Sequence, residues 1–478
     1  MESKPFTTYM GWGVLTLCIV VITYLFSNEQ IVIGFVLAIL PFAFIGTSYA
    51  VQHPKSLLYL LFVENYFLMG VDRYLSITSI GLLTDALFFF TLLAIALYSF
   101  YLRKDLPWEN LKNASVLLYV LWMMYSLMEI ANPTAMLNAW MSGIRSMTLY
   151  PLLILTLVPL LLTQFNDMKR IFLFWSLFTV LAVAKMQMQV SIGFDGAELN
   201  WLNARGGAIT HLLSTGTRYF SFFTDAGNFG SNMGCAMVVF LIVSLHVKKP
   251  FLKIFYFVIG LLGMYAMFVS GTRGAIAVPF AGFALYSILS KNAKLTTTMV
   301  MFLFASYVFF NFTMIGQSNQ YIRRMRSAFN SNEASLVVRQ ENQRLLAPYM
   351  RTRPFGEGLG LSGVDAKRFD PNRLTTNIPN DSWYVKVWVE TGIVGLIFYL
   401  AIQITIVLFG IYYVLFKIQD KELRGYVSAA LCGLFGIMAS SYGNAIYGQY
   451  PTGIITSMLQ AFIFLAPKYD TAIRTIKQ

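Results

Sequence analysis

Charge is what this sequence has least of. Asp, Glu, Lys and Arg together make up 12% of its 478 residues, against about a quarter in a typical water-soluble domain. With 57% of residues hydrophobic, that scarcity excludes a soluble globule and leaves a polytopic membrane protein. Cysteine is nearly absent too. Cys18, Cys235 and Cys432 each fall in an apolar run, at no spacing that suits a disulfide framework or a metal cluster, so they say nothing of redox compartment. The histidines His53, His211 and His246 lie far apart, which argues against a histidine metal site. There is no fixed-period repeat, no low-complexity tract and no separable soluble domain, so the expectation is a single transmembrane domain over 1–478. Lys4 precedes an apolar run without a small-residue cleavage site, which predicts a retained first helix. The net charge of +13 reads as loop charge plus an anionic substrate site, and nucleic acid is not implied.

What is abundant is apolar length. A membrane-spanning helix needs roughly 20 mostly apolar residues. Such runs fall near 6–26, 31–50, 56–70, 78–102, 114–132, 147–163, 168–190, 226–247, 251–270, 274–290, 296–313, 392–416, 425–441 and 449–467. The short 56–70 run carries Glu64 and has a re-entrant alternative. The expected fold is therefore an all-α polytopic membrane protein of about 12–14 transmembrane helices with one long insert at 314–382. Lysine-rich turns (Arg103-Lys104, Lys169-Arg170, Lys248-Lys249, Lys291 with Lys294, Lys417 with Lys421, and the tail from Lys468 to Lys477) share one side of that topology. The positive-inside rule makes this side and both termini cytoplasmic, and places 191–225 and 314–382 outside. On this topology 14 of the 18 arginines lie on the outer half, but only Lys185, Lys367 and Lys386 among the lysines. Retaining a loop is served by either cation, whereas bidentate recognition of phosphate favours the planar arginine fork.

The insert holds nine arginines and then the turn-rich run Pro354-Phe355-Gly356-Glu357-Gly358-Leu359-Gly360. Four arginines stand near expected helix ends or open an amphipathic stretch. These are Arg145 in Ser142-Gly143-Ile144-Arg145-Ser146, Arg218 in Thr215-Gly216-Thr217-Arg218-Tyr219-Phe220, Arg273 in Ser270-Gly271-Thr272-Arg273-Gly274-Ala275, and Arg339 at the start of Val338-Arg339-Gln340-Glu341-Asn342-Gln343-Arg344-Leu345-Leu346. One such arginine is explained by snorkelling to lipid phosphates. Several in Gly/Ser/Thr-rich turns on one surface point to a shared anionic ligand, because small residues let backbone approach it and hydroxyls add donors. By the same logic the run Arg323, Arg324 and Arg326 is expected to be mostly solvated.

These motifs, in this order, resemble the O-antigen ligase and polymerase family. The likeness rests on Ser270-Gly271-Thr272-Arg273-Gly274-Ala275, on Arg339 followed by Pro354–Gly360 and then by 380–392, and on Arg218 followed by Phe223-Thr224-Asp225-Ala226-Gly227-Asn228-Phe229-Gly230. It covers roughly 210–400, and the first 200 residues only by hydropathy. The resemblance implies a GT-C-like glycosyltransferase of the bacterial inner membrane, working on surface polysaccharide at the periplasmic face without metal or cofactor. The implied donor is a polyprenyl-diphosphate-linked (undecaprenyl-type) oligosaccharide, and the acceptor a glycan or lipid-anchored glycan. A chain-length regulator and export machinery are expected partners, besides membrane lipids. Arg145, Arg218 and Arg273 would bind the diphosphate and Arg339 would close over it, stabilising the charge that builds on the leaving group.

One departure stands out. Ligases of the family often carry a His-Asn pair ahead of the Glu of the Glu-x-Gly segment, and here Asp381-Ser382 stands at that place, nine residues before Glu390. Asp381 is either the general base for an acceptor hydroxyl or a helix N-cap. Its presence favours a polymerase over a histidine-based ligase. Glu64, Asp85, Glu129 and Lys185 fall inside apolar runs, where a structural pair explains them as well as a function does, and Glu390 reads as electrostatic support. Two other classes compete: a transporter or flippase of lipid-linked oligosaccharide, and a structural protein of the envelope. A one-sided polar insert and the lack of two related halves argue for the enzyme.

Overall fold

The computed structural model describes residues 45–76, 79–204, 206–213, 216–329 and 334–477. The protein is an all-α polytopic membrane protein. The described residues fall into two compact units, one of 45–60 with 85–106 and one of 61–84 with 107–477. Its main helices are α1 (Lys55–Leu75), α2 (Gly81–Tyr101), α3 (Ala114–Ala131), α4 (Leu137–Leu161), α5 (Phe165–Ser191), α6 (Ala226–His246), α7 (Pro250–Val269), α8 (Arg273–Leu289) and α9 (Ala293–Phe312), then α10 (Ala334–Arg351), α11 (Trp383–Lys417), α12 (Lys421–Ser440) and α13 (Thr452–Lys477). The expected span near 6–26, and 31–50 up to residue 44, lie outside the described residues. Among the described residues nine helices are long and apolar enough to cross a membrane: α2 to α7, α9, α11 and α12. The other three expected spans are helical as well. α8 is shorter, α1 carries Glu64, Asp72 and Arg73, and α13 ends in a charged turn.

In the first unit Ala50, Leu57 and Ala94 form a small core with Val51, Leu87 and Phe90 packed against it. The second unit holds the main core. Its centre is α6, buried along almost its whole length, with the small residues Ala226, Gly227, Gly230, Ser231, Gly234 and Cys235 in its first half. Close approach does the packing: a Cβ on Gly263 of α7 would stand 2.8 Å from the Met233 carbonyl of α6, and one on Gly436 of α12 would stand 2.7 Å from the Val278 carbonyl of α8. Small residues at helix contacts let backbones meet where lipid gives no hydrophobic drive.

The lysine-rich turns between α6 and α7, α8 and α9, and α11 and α12 share one end of this unit. Helices of about 20 residues put the other ends roughly 30 Å away. There the starts of α6, α8, α11 and α13 meet the ends of α7 and α12, under the insert.

The insert is clamped to that end by α11. At Gly392 the helix kinks (φ 68, ψ −174), and the Pro354–Gly360 run enters the kink. Glu357 N–H donates to Val389 O (2.9 Å), Gly358 N–H to Glu390 O (3.1 Å), and Val394 N–H to Pro354 O (3.2 Å). A Cβ on Gly392 would overlap Pro354 O, and one on Gly356 would stand 2.5 Å from Gly392 N. The buried Glu357 carboxylate pairs with Arg353 and with Arg373 (2.7 Å), tying the middle of the run to the insert on either side of it. The glycines of this motif therefore serve a backbone-to-backbone clamp.

Candidate functional site

Four arginines and two aspartates line a cavity of about 820 Å³ where the helix starts meet the insert. They are Arg218, Arg273, Arg324, Arg339, Asp225 and Asp381. Arg218 arrives on a two-residue antiparallel hairpin pairing Leu212 with Thr217. Its backbone N–H donates to His211 O (2.8 Å). Its Nη1 donates to Thr210 O (3.1 Å) and its Nη2 to Thr272 Oγ1 (3.0 Å), while Nε is buried with no partner. Desolvation pulls its pKa down, opposed by Asp225 and reinforced by Arg273 and Arg339.

The Ser270–Arg273 turn is built to hold that guanidinium. Ser270 Oγ accepts from Thr272 N–H (3.2 Å), and Thr272 Oγ1 donates to Ala226 O (2.7 Å) while receiving Arg218. Gly271 has φ +62, a region only glycine enters freely. A Cβ there would press on Arg324 Cδ (3.2 Å) and come into contact with Arg218 Cγ (3.5 Å). Its carbonyl accepts from Arg324 Nε at 2.5 Å. Arg273 follows in the first turn of α8, so a helix N-terminus adds its positive end to the cavity. Arg339 reaches in from α10 with Nε buried and unpaired.

The two aspartates differ. Asp225 is the N-cap of α6, accepting from Gly227 N–H (2.6 Å) and Asn228 N–H (3.0 Å). Its carboxylate is already engaged. Asp381 is not the cap of α11: Ser382 holds that position and makes no side-chain capping bond. Burial lifts the Asp381 carboxyl above the usual range and Arg339 partly opposes the lift. A raised pKa suits a group that exchanges protons near neutral pH. His211 is neutral. Its Nδ1 donates to Gly207 O (2.8 Å) and its Nε2 accepts from Ala226 N–H (3.2 Å), and burial pushes its pKa down to about 4.

So the cavity brings together Arg218, Arg273, Arg339 and Asp381, and adds Arg324. Arg145 is not among them. It begins a π-helical turn within α4, half-buried, and lines neither this cavity nor the smaller one beside it. Of the arginine run expected in solvent, Arg323 is exposed, Arg324 lines the cavity, and Arg326 donates to the carbonyls of Phe310 (3.1 Å) and Ile315 (3.0 Å). Sequence reasoning missed the α12–α13 connection. Gly443, Asn444 and Gln449 line the cavity from there, with Asn444 Nδ2 buried and unpaired. The signal was the polar run Ser440-Ser441-Tyr442-Gly443-Asn444 between two apolar ones.

A second cavity, of about 400 Å³, adjoins the first: Asn380, Ala445 and Gln449 line both. Among the described residues no group of three or more His, Cys, Asp or Glu is placed to hold a metal ion.

Residues 255–400 match the family model described as O-Antigen ligase, in line with the resemblance read from the motifs. The match takes in the Ser270–Arg273 turn, the insert with its clamp, Asp381 and the first half of α11, and leaves the Arg218 hairpin outside. No curated protein and no solved structure matches the chain.

Proposed function

We propose that this O-antigen ligase/polymerase-type membrane protein transfers a glycan from a polyprenyl-diphosphate carrier to a hydroxyl of a second glycan, at the periplasmic face of the bacterial inner membrane. The observation that carries the reading is the charge of the larger cavity. Four guanidinium groups face two carboxylates there, and two of the four keep a buried Nε–H without a partner. A buried unpaired donor costs about 1–3 kcal/mol, so such a set calls for an anionic ligand, and bidentate forks suit the oxygens of a diphosphate.

The chemistry follows from the placement. The acceptor oxygen attacks the anomeric carbon on the face opposite the diphosphate, with inversion. The carbon–oxygen bond to the diphosphate breaks and its electron pair stays with the leaving group, whose added negative charge Arg218, Arg273, Arg324 and Arg339 stabilise in place. The acceptor's proton goes to Asp381. An aspartate at this position favours polymerisation of repeat units over ligation.

The glycan profile of a deletion strain tests the reading. Loss of long chains with single capped units retained means polymerase. Loss of attachment to the lipid anchor, with carrier-linked polymer accumulating, means ligase. An unchanged surface glycan would refute both.

A further inference from the structure

We propose that the smaller cavity is a binding site for a neutral, hydroxyl-rich sugar residue, the terminal unit of the acceptor glycan. The word acceptor rests on the transfer reading above; the sugar chemistry stands on the cavity itself. Its charged lining residues are Asp365, Arg368, Lys386 and Glu390, two of each sign, whereas the larger cavity has twice as many cations as anions. A balanced site has no surplus charge to neutralise an anion. It offers hydrogen-bond donors and acceptors in turn, which is what a polyol presents.

Two acceptors there are left without a donor. Glu390 is fully buried; its Oε1 takes the Ser362 hydroxyl at 2.5 Å, and its Oε2 has no partner. Lys386 Nζ makes its ion pair with Oε1, at 3.9 Å and beyond a hydrogen bond, and not with Oε2. Asn380 Oδ1 is likewise buried and unpaired. A buried acceptor facing a polar cavity is satisfied by a hydroxyl donor, and sugar hydroxyls supply these at close spacing. Trp383 and Phe369 add aromatic lining for the apolar face of a pyranose ring. The cavity of about 400 Å³ lies within the range of small-molecule sites, roughly 300–1,000 Å³.

Position gives the site its role. Asn380 lines both cavities, and its neighbour Asp381 faces only the larger one. A sugar held against Glu390 and Asn380 can present a hydroxyl across the shared wall, where Asp381 takes the proton and the donor's anomeric carbon lies beside the arginines.

The test uses the full-length protein in detergent and two probes, with binding followed by ligand-observed NMR. The first probe is a set of short neutral oligosaccharides released by partial hydrolysis of the surface glycan of the producing cells. The second is glycan-free undecaprenyl diphosphate. Glu390→Gln and Arg368→Ala should each weaken oligosaccharide binding about tenfold and leave undecaprenyl diphosphate binding unchanged, while Arg273→Lys does the reverse. Arg368 is exposed, so its variant keeps the test open if Glu390→Gln fails to fold. Oligosaccharide affinity within twofold of wild type in the folded variants overturns the sugar site, even where Arg273→Lys has lost the diphosphate. Unchanged diphosphate binding in Arg273→Lys counts against the transfer reading alone.

Discussion

Replacing Asp381 by Asn separates proton transfer from every other role this residue could have. Asn keeps the size and polarity of the side chain and would serve a helix start as well as Asp does, but it takes no proton at neutral pH. General-base catalysis contributes about 10²–10⁴-fold, or roughly 3–5 kcal/mol at 1.36 kcal/mol per decade. Transfer at saturating donor should fall by that factor. Donor affinity should hold or tighten, since the cavity would then set four guanidiniums against a single carboxylate. Stability offers a control with a definite sign. Burial raises the Asp381 pKa in the fold above its unfolded value. Its stabilising contribution is therefore present below the unfolded pKa and lost as pH rises through the folded one, so the ionised form costs the fold at neutral pH. Asp381→Asn should melt at or above the wild-type temperature. The pH profile adds a second handle. The base works deprotonated, so activity falls as pH drops through its raised pKa. Arg339 holds that value down, so Arg339→Gln should move the acid limb to higher pH. Transfer within threefold of wild type in Asp381→Asn, or an acid limb that moves down in Arg339→Gln, would refute the assignment.

The clamp and the orientation have their own tests. Gly392→Ala adds a Cβ that overlaps Pro354 O at a positive φ, and should collapse the yield of folded protein in a detergent gel-filtration assay; a wild-type elution profile and yield would show that the kink is dispensable. Lys367 and Asn200 are both exposed. Cysteines placed there in a cysteine-free background should react with an impermeant maleimide in intact spheroplasts, and labelling only after lysis would reverse the proposed orientation.

The helices were legible because apolar runs of fixed length leave little choice of structure in a membrane. The grouping of Arg218, Arg273 and Arg339 was legible as well, since each stood among small or polar residues on the same side of the topology. What failed to show was rotation. Successive residues of a helix point about 100° apart. Ser142, Gly143 and Ser146 line the smaller cavity while Arg145, within the same turn, does not. The same geometry picks Arg324 out of its run and sends it to Gly271, leaving Arg323 in solvent. The Pro354–Gly360 run was read with the chemistry, but its partner is the α11 kink, a contact between segments far apart in sequence. Glu390 was read as electrostatic support. Its unpaired oxygen, on a residue that lines a cavity, is visible only once Ser362 and Lys386 are placed around it.

On the proposed mechanism the guanidinium cavity holds a diphosphate. Binding of undecaprenyl diphosphate to the purified protein tests it most directly, with Arg218→Lys and Arg273→Lys set against Arg323→Lys. Lysine keeps the charge and removes the bidentate fork. Affinity should fall about tenfold or more at Arg218 and Arg273, at wild-type melting temperature, and should not change at Arg323. Wild-type affinity in Arg273→Lys, or an equal loss in all three variants, would contradict it.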